Sequence, residues 1–156
     1  MSEILSLIEG DKRPKRRSSS ETGSRGERLA AEYLTQHGYR LVVANFTAAI
    51  GRNHNGAQVN GEIDIVALDG DTLCFIEVKA RRTDEYADPL SNVDLRKQRV
   101  ITRTARVYRR IFAIRNIKHR FDVVTVVGDN EPDIRLFKGY WTEAKFRKRA
   151  WAGDWM

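Results

Sequence analysis

Apolar residues recur at helical spacing through Leu29, Ala30, Tyr33 and Leu34, then give way to short runs with the spacing of β-strands. Ser24-x-x-Glu27 has the form of a capping box and Gly38 that of a C-terminal stop, so a helix is predicted between them. Residues 40–46 read as a strand. The Gly/Asn-rich stretch 47–60 reads as a loop, placed where it can act as a substrate flap. Gly61–Val66 and Phe75–Lys79 flank an Asp69-Gly70-Asp71 turn and predict a hairpin. Ser91 or Asn92 caps a long helix to about Phe112, with Ile101, Thr104, Ala105, Tyr108, Ile111 and Phe112 on the side facing a sheet. Residues 120–127 alternate as a strand, and 134–137 form a short last one after the Gly128–Pro132 turn. This order predicts an α/β fold with a mixed central β-sheet flanked by helices.

Charges interrupt the hairpin strands where apolar residues are expected. Glu62, Asp64, Glu77 and Lys79 sit inside runs that otherwise read as buried. With Gly70-Asp71 as a two-residue type II′ loop, Leu68 faces Leu73, Val66 faces Phe75, Asp64 faces Glu77 and Glu62 faces Lys79. Strand alternation then puts all eight side chains on one face. With Asp69-Gly70 as the loop, Glu77 faces Glu62 and the carboxylates still share that face. Like charges directly opposite one another destabilise a plain hairpin, and a divalent metal between them removes the objection. Mg²⁺ suits the residue types, since it takes hard oxygen ligands from one or two carboxylates and keeps waters and phosphate oxygens. Asp64 and Glu77 would be its ligands, with the Val78 carbonyl as a further one and Mn²⁺ able to substitute. Lys79 points into the same site, where it can orient or deprotonate a water or stabilise charge on a phosphate. The structural alternative is a Glu62–Lys79 salt bridge with Asp64 and Glu77 at a solvated edge.

These residues resemble a known pattern. Asp, a spacer and Glu-x-Lys is similar to the PD-(D/E)xK nuclease superfamily, with its restriction-endonuclease-like core. Gly26-Glu27-x-x-Ala30, Gly61-Glu62-Ile63-Asp64, Phe75-Ile76-Glu77-Val78-Lys79-x-Arg81 and Phe121-Asp122-Val123-Val124 together resemble the YraN-like family of bacterial endonuclease-like proteins. That family is distantly similar to archaeal Holliday-junction resolvases. The resemblance covers about residues 25–127 and implies the fold and a phosphodiester-cleaving chemistry. It implies that Glu27 points from the first helix toward the site, whereas the local reading makes Glu27 a cap of its own helix. It also marks 47–60 as an insertion, because the family crosses this gap more briefly.

Charge bears on the partner. The 156 residues hold 28 Lys and Arg against 21 Asp and Glu, a net +7, which favours a polyanion. On a helical wheel Arg96, Arg99, Arg103, Arg106 and Arg110 form a stripe with no acidic residue after Asp94 to pair at i,i+4, so it is either a solvated face or a phosphate track. Lys97 falls on the apolar side of that helix and needs an acidic partner, for which the carboxylate cluster is the obvious choice; snorkelling to solvent is its other reading. Arg81 continues the Glu77–Lys79 face, either toward a phosphate or as a solvated strand end. Residues 1–23, with Lys12-Arg13-Pro14-Lys15-Arg16-Arg17, read as a disordered basic tail, 24–140 as the nuclease-like domain, and 141–156 as a basic, Trp-containing tail. Asp122 reads as structural. The single Cys74 favours a reducing compartment. With no bilayer-length apolar run and no secretory leader pattern, the expected location is cytoplasmic. His37, His54 and His119 are isolated from one another, which argues against zinc.

The sequence therefore predicts a Mg²⁺-dependent endonuclease, a hydrolase acting on DNA, with branched or structured DNA implied by the resemblance alone. RNA stays open as a substrate, and a homodimer would suit junction cleavage. Low sequence specificity is expected, because no element for reading base edges is evident. The alternative is a non-catalytic nucleic-acid-binding or scaffold module on the same fold.

Overall fold

The computed structural model describes residues 17–83 and 88–147, with side chains from Glu21 onward. The remainder of the predicted basic tail, and Trp151 and Trp155 of the C-terminal segment, lie outside the described residues. The elements are α1 (Arg17–Gln36), β1 (Arg40–Arg52), β2 (Gln58–Asp69), β3 (Thr72–Arg81), a 3-10 turn (Pro89–Asn92), α2 (Leu95–Ile111), β4 (His119–Val127), β5 (Asp133–Trp141) and a second 3-10 turn (Glu143–Phe146). One five-stranded sheet runs in the order β1-β2-β3-β4-β5. Only β3 and β4 pair in parallel, with α2 as their crossover, so the sheet is mixed. The α/β architecture with a helix-flanked mixed sheet, compatible with a restriction-endonuclease-like core, is as the sequence predicted. No helix among the described residues is long and apolar enough to cross a membrane.

Each sheet face has its own core. Ala30, Ala31 and Leu34 of α1 pack on Ile65, Ala67, Cys74, Ile76, Val124 and Val126. Ile101, Ala105 and Tyr108 of α2 pack on Val66, Leu73, Phe75, Phe121 and Val123. Covering both faces is what lets β3 and β4 be apolar almost throughout.

Several predicted features differ. The cap of α2 is Asp94, whose Oδ1 accepts the Lys97 N–H at 2.9 Å, and neither Ser91 nor Asn92. α1 begins at Arg17, so Ser24-x-x-Glu27 lies mid-helix and caps nothing. Ser24 and Gly26 are weak helix formers that mimic a start, but Arg25 fixes this turn by donating to the Gly128 carbonyl (3.2 Å) and to that of Asp129. The helix ends as predicted, with Gly38 at φ 88°. Residues 47–60 are not a loop. β1 continues to Arg52 and returns at Gln58, leaving a turn in which Asn53 Oδ1 accepts from the Asn55 and Ala57 amides. Ile111 and Phe112, expected to be buried, are 57% and 56% exposed, because the last turn of α2 overruns the core. Trp141, assigned with the tail, closes β5: it is buried, stacks on Phe121 at 4.9 Å and donates Nε1–H to Thr102 Oγ1 at 2.9 Å.

Candidate active site

The hairpin register is the first of the two alternatives. Leu68 pairs with Leu73 and Val66 with Phe75. Gly70 alone in the turn has positive φ (59°), as a type II′ loop requires. The ladder, however, stops at Ile65–Ile76. Beyond it β2 stays with β1 as far as Arg52–Gln58, while β3 stays with β4 as far as Arg81–Val127, so the two strands fork.

The fork also breaks the predicted alternation. Ile63 and Val66, three apart, share one core, and so do Val43 and Phe46 opposite them. Both strands therefore turn over between these pairs, where Asn45 has φ 52°. The expectation of eight side chains on one face is corrected accordingly. Asp64 sits in the fork and its Oδ2 accepts the Val78 N–H at 2.8 Å, a donor the missing ladder leaves available. Glu62 pairs with Thr47 rather than facing Lys79, and among the described residues the Glu62–Lys79 bridge does not form.

Glu77 occupies the floor. It is 3% exposed, with Lys79 Nζ at 3.4 Å and Lys97 Nζ at 3.6 Å, both from Oε1. Its Oε2 is buried with no hydrogen-bond partner. Lys97 comes from α2, on the opposite side of the sheet from α1, and meets the carboxylate that its place on the apolar side demanded. From α1, Glu27 approaches the same fork. With its amide nitrogen turned toward them, Asn45 donates to Glu27 Oε2 (3.0 Å) and Glu62 Oε1 (3.3 Å). Glu27 is thus a site-facing residue and not a cap. Asn45 escaped the sequence reading; its only signal was an asparagine inside a strand, where that residue is depleted.

Burial raises the Asp64 carboxyl well above its ordinary range, the neighbouring Glu77 and Glu27 charges push the same way, and the Val78 N–H opposes them. Asp64 is half-buried as a residue, but its carboxyl points inward, so desolvation leads. Burial likewise lifts Glu27 from 4.5 to about 7, assisted by Glu62 and Glu77 and opposed by the Asn45 bond. No three His, Cys, Asp or Glu side chains among the described residues converge as a ready-made metal cage. The fit is instead to a cation that needs two protein carboxylates. Asp64 and Glu77 present hard oxygens across the fork, close enough to share a proton while Asp64 keeps its own, and no standing N–H or O–H donor reaches Glu77 Oε2.

A family model described as Uncharacterised protein family UPF0102 matches residues 26–126, more than half of the chain. The chain belongs to this family. It is the YraN-like family whose motifs the sequence carries. A UPF0102 protein of Chlorobium limicola is 43% identical over 114 residues, spanning 73% of this chain and 81% of the relative. One from Desulfosudis oleivorans is 40% identical, over 72% and 84%. One from Clostridium kluyveri is 34% identical, over 77% and 93%. A solved structure described as "Crystal structure of SSO0001" is a distant likeness, 14% identical with a TM-score of 0.36, over 92% of this chain and 62% of that one. The UPF0102 match begins at Gly26 and includes Glu27, Asp64, Glu77, Lys79 and Lys97.

The arginine stripe is divided among several tasks. Arg103 Nη2 donates to the Ile50 carbonyl at 2.5 Å, and Arg106 Nε to Glu143 Oε1 at 2.7 Å. Arg99 lies over the Phe146 ring at 5.8 Å, while Arg96 and Arg110 are exposed. Counting i,i+4 partners missed Glu143 because it arrives from a distant segment, where Arg109 and His119 also meet it. Arg81 ends β3, half-buried, paired with Val127 in the ladder.

Two expectations follow for this UPF0102 site. A Cβ on Gly26 would overlap the Ala80 methyl of β3, so this helical glycine is what lets α1 carry Glu27 close to the fork. Ala normally favours a helix over Gly by about 1 kcal/mol, but here overpacking of about 1–3 kcal/mol opposes it. Gly26→Ala should therefore lower the thermal midpoint, and an unchanged or raised midpoint would contradict the close packing. The second concerns pH. The folded state keeps the Glu27 proton through a window in which the unfolded chain has lost it, so stability falls as pH rises from 4.5 to about 7. In EDTA, the thermal midpoint of the wild type should drop across that window relative to Glu27→Gln. Parallel curves would remove Glu27 from the charged cluster.

Proposed function

We propose that this protein is a divalent-metal-dependent nuclease hydrolysing phosphodiester bonds of DNA, with Asp64 and Glu77 holding Mg²⁺ or Mn²⁺. The observation that carries the reading is Glu77: a buried carboxylate with one oxygen that no standing donor reaches, across a strand fork from Asp64, whose own charge burial disfavours. A buried acid retained in that condition is stabilised by a cation that completes it. The ion, when bound, supplies Lewis-acid charge beside the scissile phosphate.

The chain's own groups would do the remaining work. Glu27, its carboxyl lifted to about 7, is partly ionised near neutrality and suits the proton-accepting role toward an attacking water. Lys79 and Lys97 would stabilise negative charge that builds on the phosphate oxygens. Arg81 at the end of β3 and Arg96 and Arg99 on α2 would hold flanking phosphates; Arg103, bonded to Ile50, would contribute mainly through the strand it fixes.

One observation favours the non-catalytic alternative. Lys79 and Lys97 both pair with Glu77 Oε1, an arrangement a structural ion cluster would also have. The deciding experiment is cleavage of labelled four-way junctions, flaps, plain duplex, single strands and RNA, with Mg²⁺, Mn²⁺ or EDTA. Metal-dependent cutting, lost in both Asp64→Ala and Glu77→Ala, supports the nuclease. Binding without cutting under every condition leaves the binding module.

A further inference from the structure

The two-stranded arm formed by the outer halves of β1 and β2 belongs to no part of the chemistry above. Its pairing runs from Thr47–Glu62 to Arg52–Gln58. At ~3.3 Å per residue it reaches roughly 20 Å beyond the fork, turn included. Residues 51–58 are all exposed, and Ile50 is the arm's buried anchor. Such a hairpin has no core of its own, yet it is held firmly. Arg103 bonds the Ile50 carbonyl, and a Cβ on Gly61 would overlap Thr104, so α2 grips the base. Arg52 Nη1 bonds the Gly56 carbonyl (2.8 Å) and Asn53 closes the turn, so the tip is preorganised.

We propose that this arm enters the major groove of B-form DNA and reads base edges there, an inference that rests on the nucleic-acid reading of the neighbouring site. A two-stranded ribbon fits that groove, which is ~12 Å wide, and β1 keeps its strand slender with Ala48, Ala49 and Gly51. Segment 47–60 contains Arg52 and no Asp or Glu, so nothing on it repels phosphate. Its exposed groups are those that read bases. Gln58 Nε2 donates to Asn60 Oδ1 at 2.8 Å, which leaves Gln58 Oε1 as an acceptor and Asn60 Nδ2 as a donor on one strand. An acceptor beside a donor matches adenine, whose N6–H₂ donates and whose N7 accepts. Asn60 is two residues from Glu62, which shares the Asn45 amide with Glu27. The contacts therefore fall within about two to six base pairs of the reacting phosphate, at ~3.4 Å per step. The deep, narrow major groove of A-form RNA does not admit such a ribbon. The arm thus selects duplex DNA over duplex RNA and supplies the base-reading element that the sequence, with 47–60 read as a loop, lacked.

The test compares the full chain, a short-arm form with residues 52–58 replaced by Asn-Gly, and the exposed double variant Gln58→Ala, Asn60→Ala. Binding to matched DNA duplex, RNA duplex and single-stranded DNA is read by anisotropy in EDTA, with dimethyl sulfate protection of guanine N7. The full chain should prefer DNA over RNA duplex at least tenfold and protect N7 positions in one block of a few base pairs. The short-arm form should lose both while keeping its single-strand affinity. The double variant should lose the affinity penalty that 7-deazaadenine imposes on the wild type. Equal binding of the two duplexes, absent N7 protection, or a footprint unchanged by shortening the arm would overturn the proposal. Because binding is read without metal, failure to cleave refutes the nuclease and leaves the footprint standing. Cleavage with an unmoved footprint refutes the arm alone.

Discussion

Asp64→Asn should abolish metal-dependent cleavage and at the same time raise the thermal midpoint of the metal-free protein. Its carboxyl is held well above the usual range by burial and by Glu77 and Glu27. For a carboxyl raised in the folded state, ionisation is penalised as pH rises above the unfolded value of 3.8. At pH 8 wild-type Asp64 therefore destabilises the fold. Asparagine removes that charge and keeps an oxygen for the Val78 N–H. A gain of about 0.5–2 kcal/mol is common for a single stabilising substitution, worth roughly 1–8 °C for a chain of this length. Activity should fall on the order of a thousandfold or more, because an ion stabilising the transition state would lose one of its two carboxylate ligands. Mg²⁺ separates the two effects. At a hundredfold excess over its dissociation constant it should stabilise the wild type by about 2.7 kcal/mol and the variant hardly at all. Calorimetry with Mg²⁺ and with EDTA reads both. A lower midpoint for Asp64→Asn in EDTA would show that the carboxylate stabilises the metal-free fold, against the sign its raised pKa gives.

What was legible in the sequence divides along physical lines. The hairpin was, down to two registers, between which the positive φ of Gly70 and the Leu68–Leu73 pairing decide. Lys97 was, because a lysine on an apolar helix face must find an acid. The fork was not. Period-2 counting assumes an unbroken strand, and the turnover near Asn45 comes from two strands leaving each other for different neighbours. The arm at 47–60 was missed for a similar reason. Its glycines and asparagines cluster in and near the turn, while its strand pairing is supported by Arg103 and Thr104 from a helix some 50 residues away in sequence. Glu27 was left between two roles because a capping pattern carries no information on whether the helix continues upstream of it; Arg25, reaching the Gly128 carbonyl, decides that.

Asp122→Ala should be the most destabilising single substitution among the buried acids. Asp122 is fully buried and all its acceptor capacity is engaged. Oδ1 accepts from Arg120 Nε (2.7 Å) and the Gly139 amide (2.9 Å). Oδ2 accepts from Tyr39 OH (3.0 Å) and Arg120 Nη2 (2.9 Å). Arg120 also reaches Asp69 of the β2–β3 turn at 2.8 Å, so this cluster clamps the sheet end that lies away from the fork. Alanine leaves the Tyr39 O–H and the Gly139 N–H without their acceptor, and leaves Arg120 with Asp69 as its one charged partner beside the Tyr39 oxygen. Breaking a buried pair from one side costs about 3–5 kcal/mol, or roughly 6–20 °C here. Asp122→Asn should fall between, since one acceptor survives and the new amide faces the guanidinium donor to donor. Combined with Asp64→Asn, the stability changes should add within about 0.5 kcal/mol, because the two clusters share no partner. Residual folded Asp122→Ala protein should keep its affinity for metal. The two buried aspartates differ in how they are satisfied. One is saturated by donors from its own chain, and removing it unlocks the fold. The other shares a fork with Glu77, whose second oxygen is unsatisfied, and removing its charge should tighten the fold and end the chemistry.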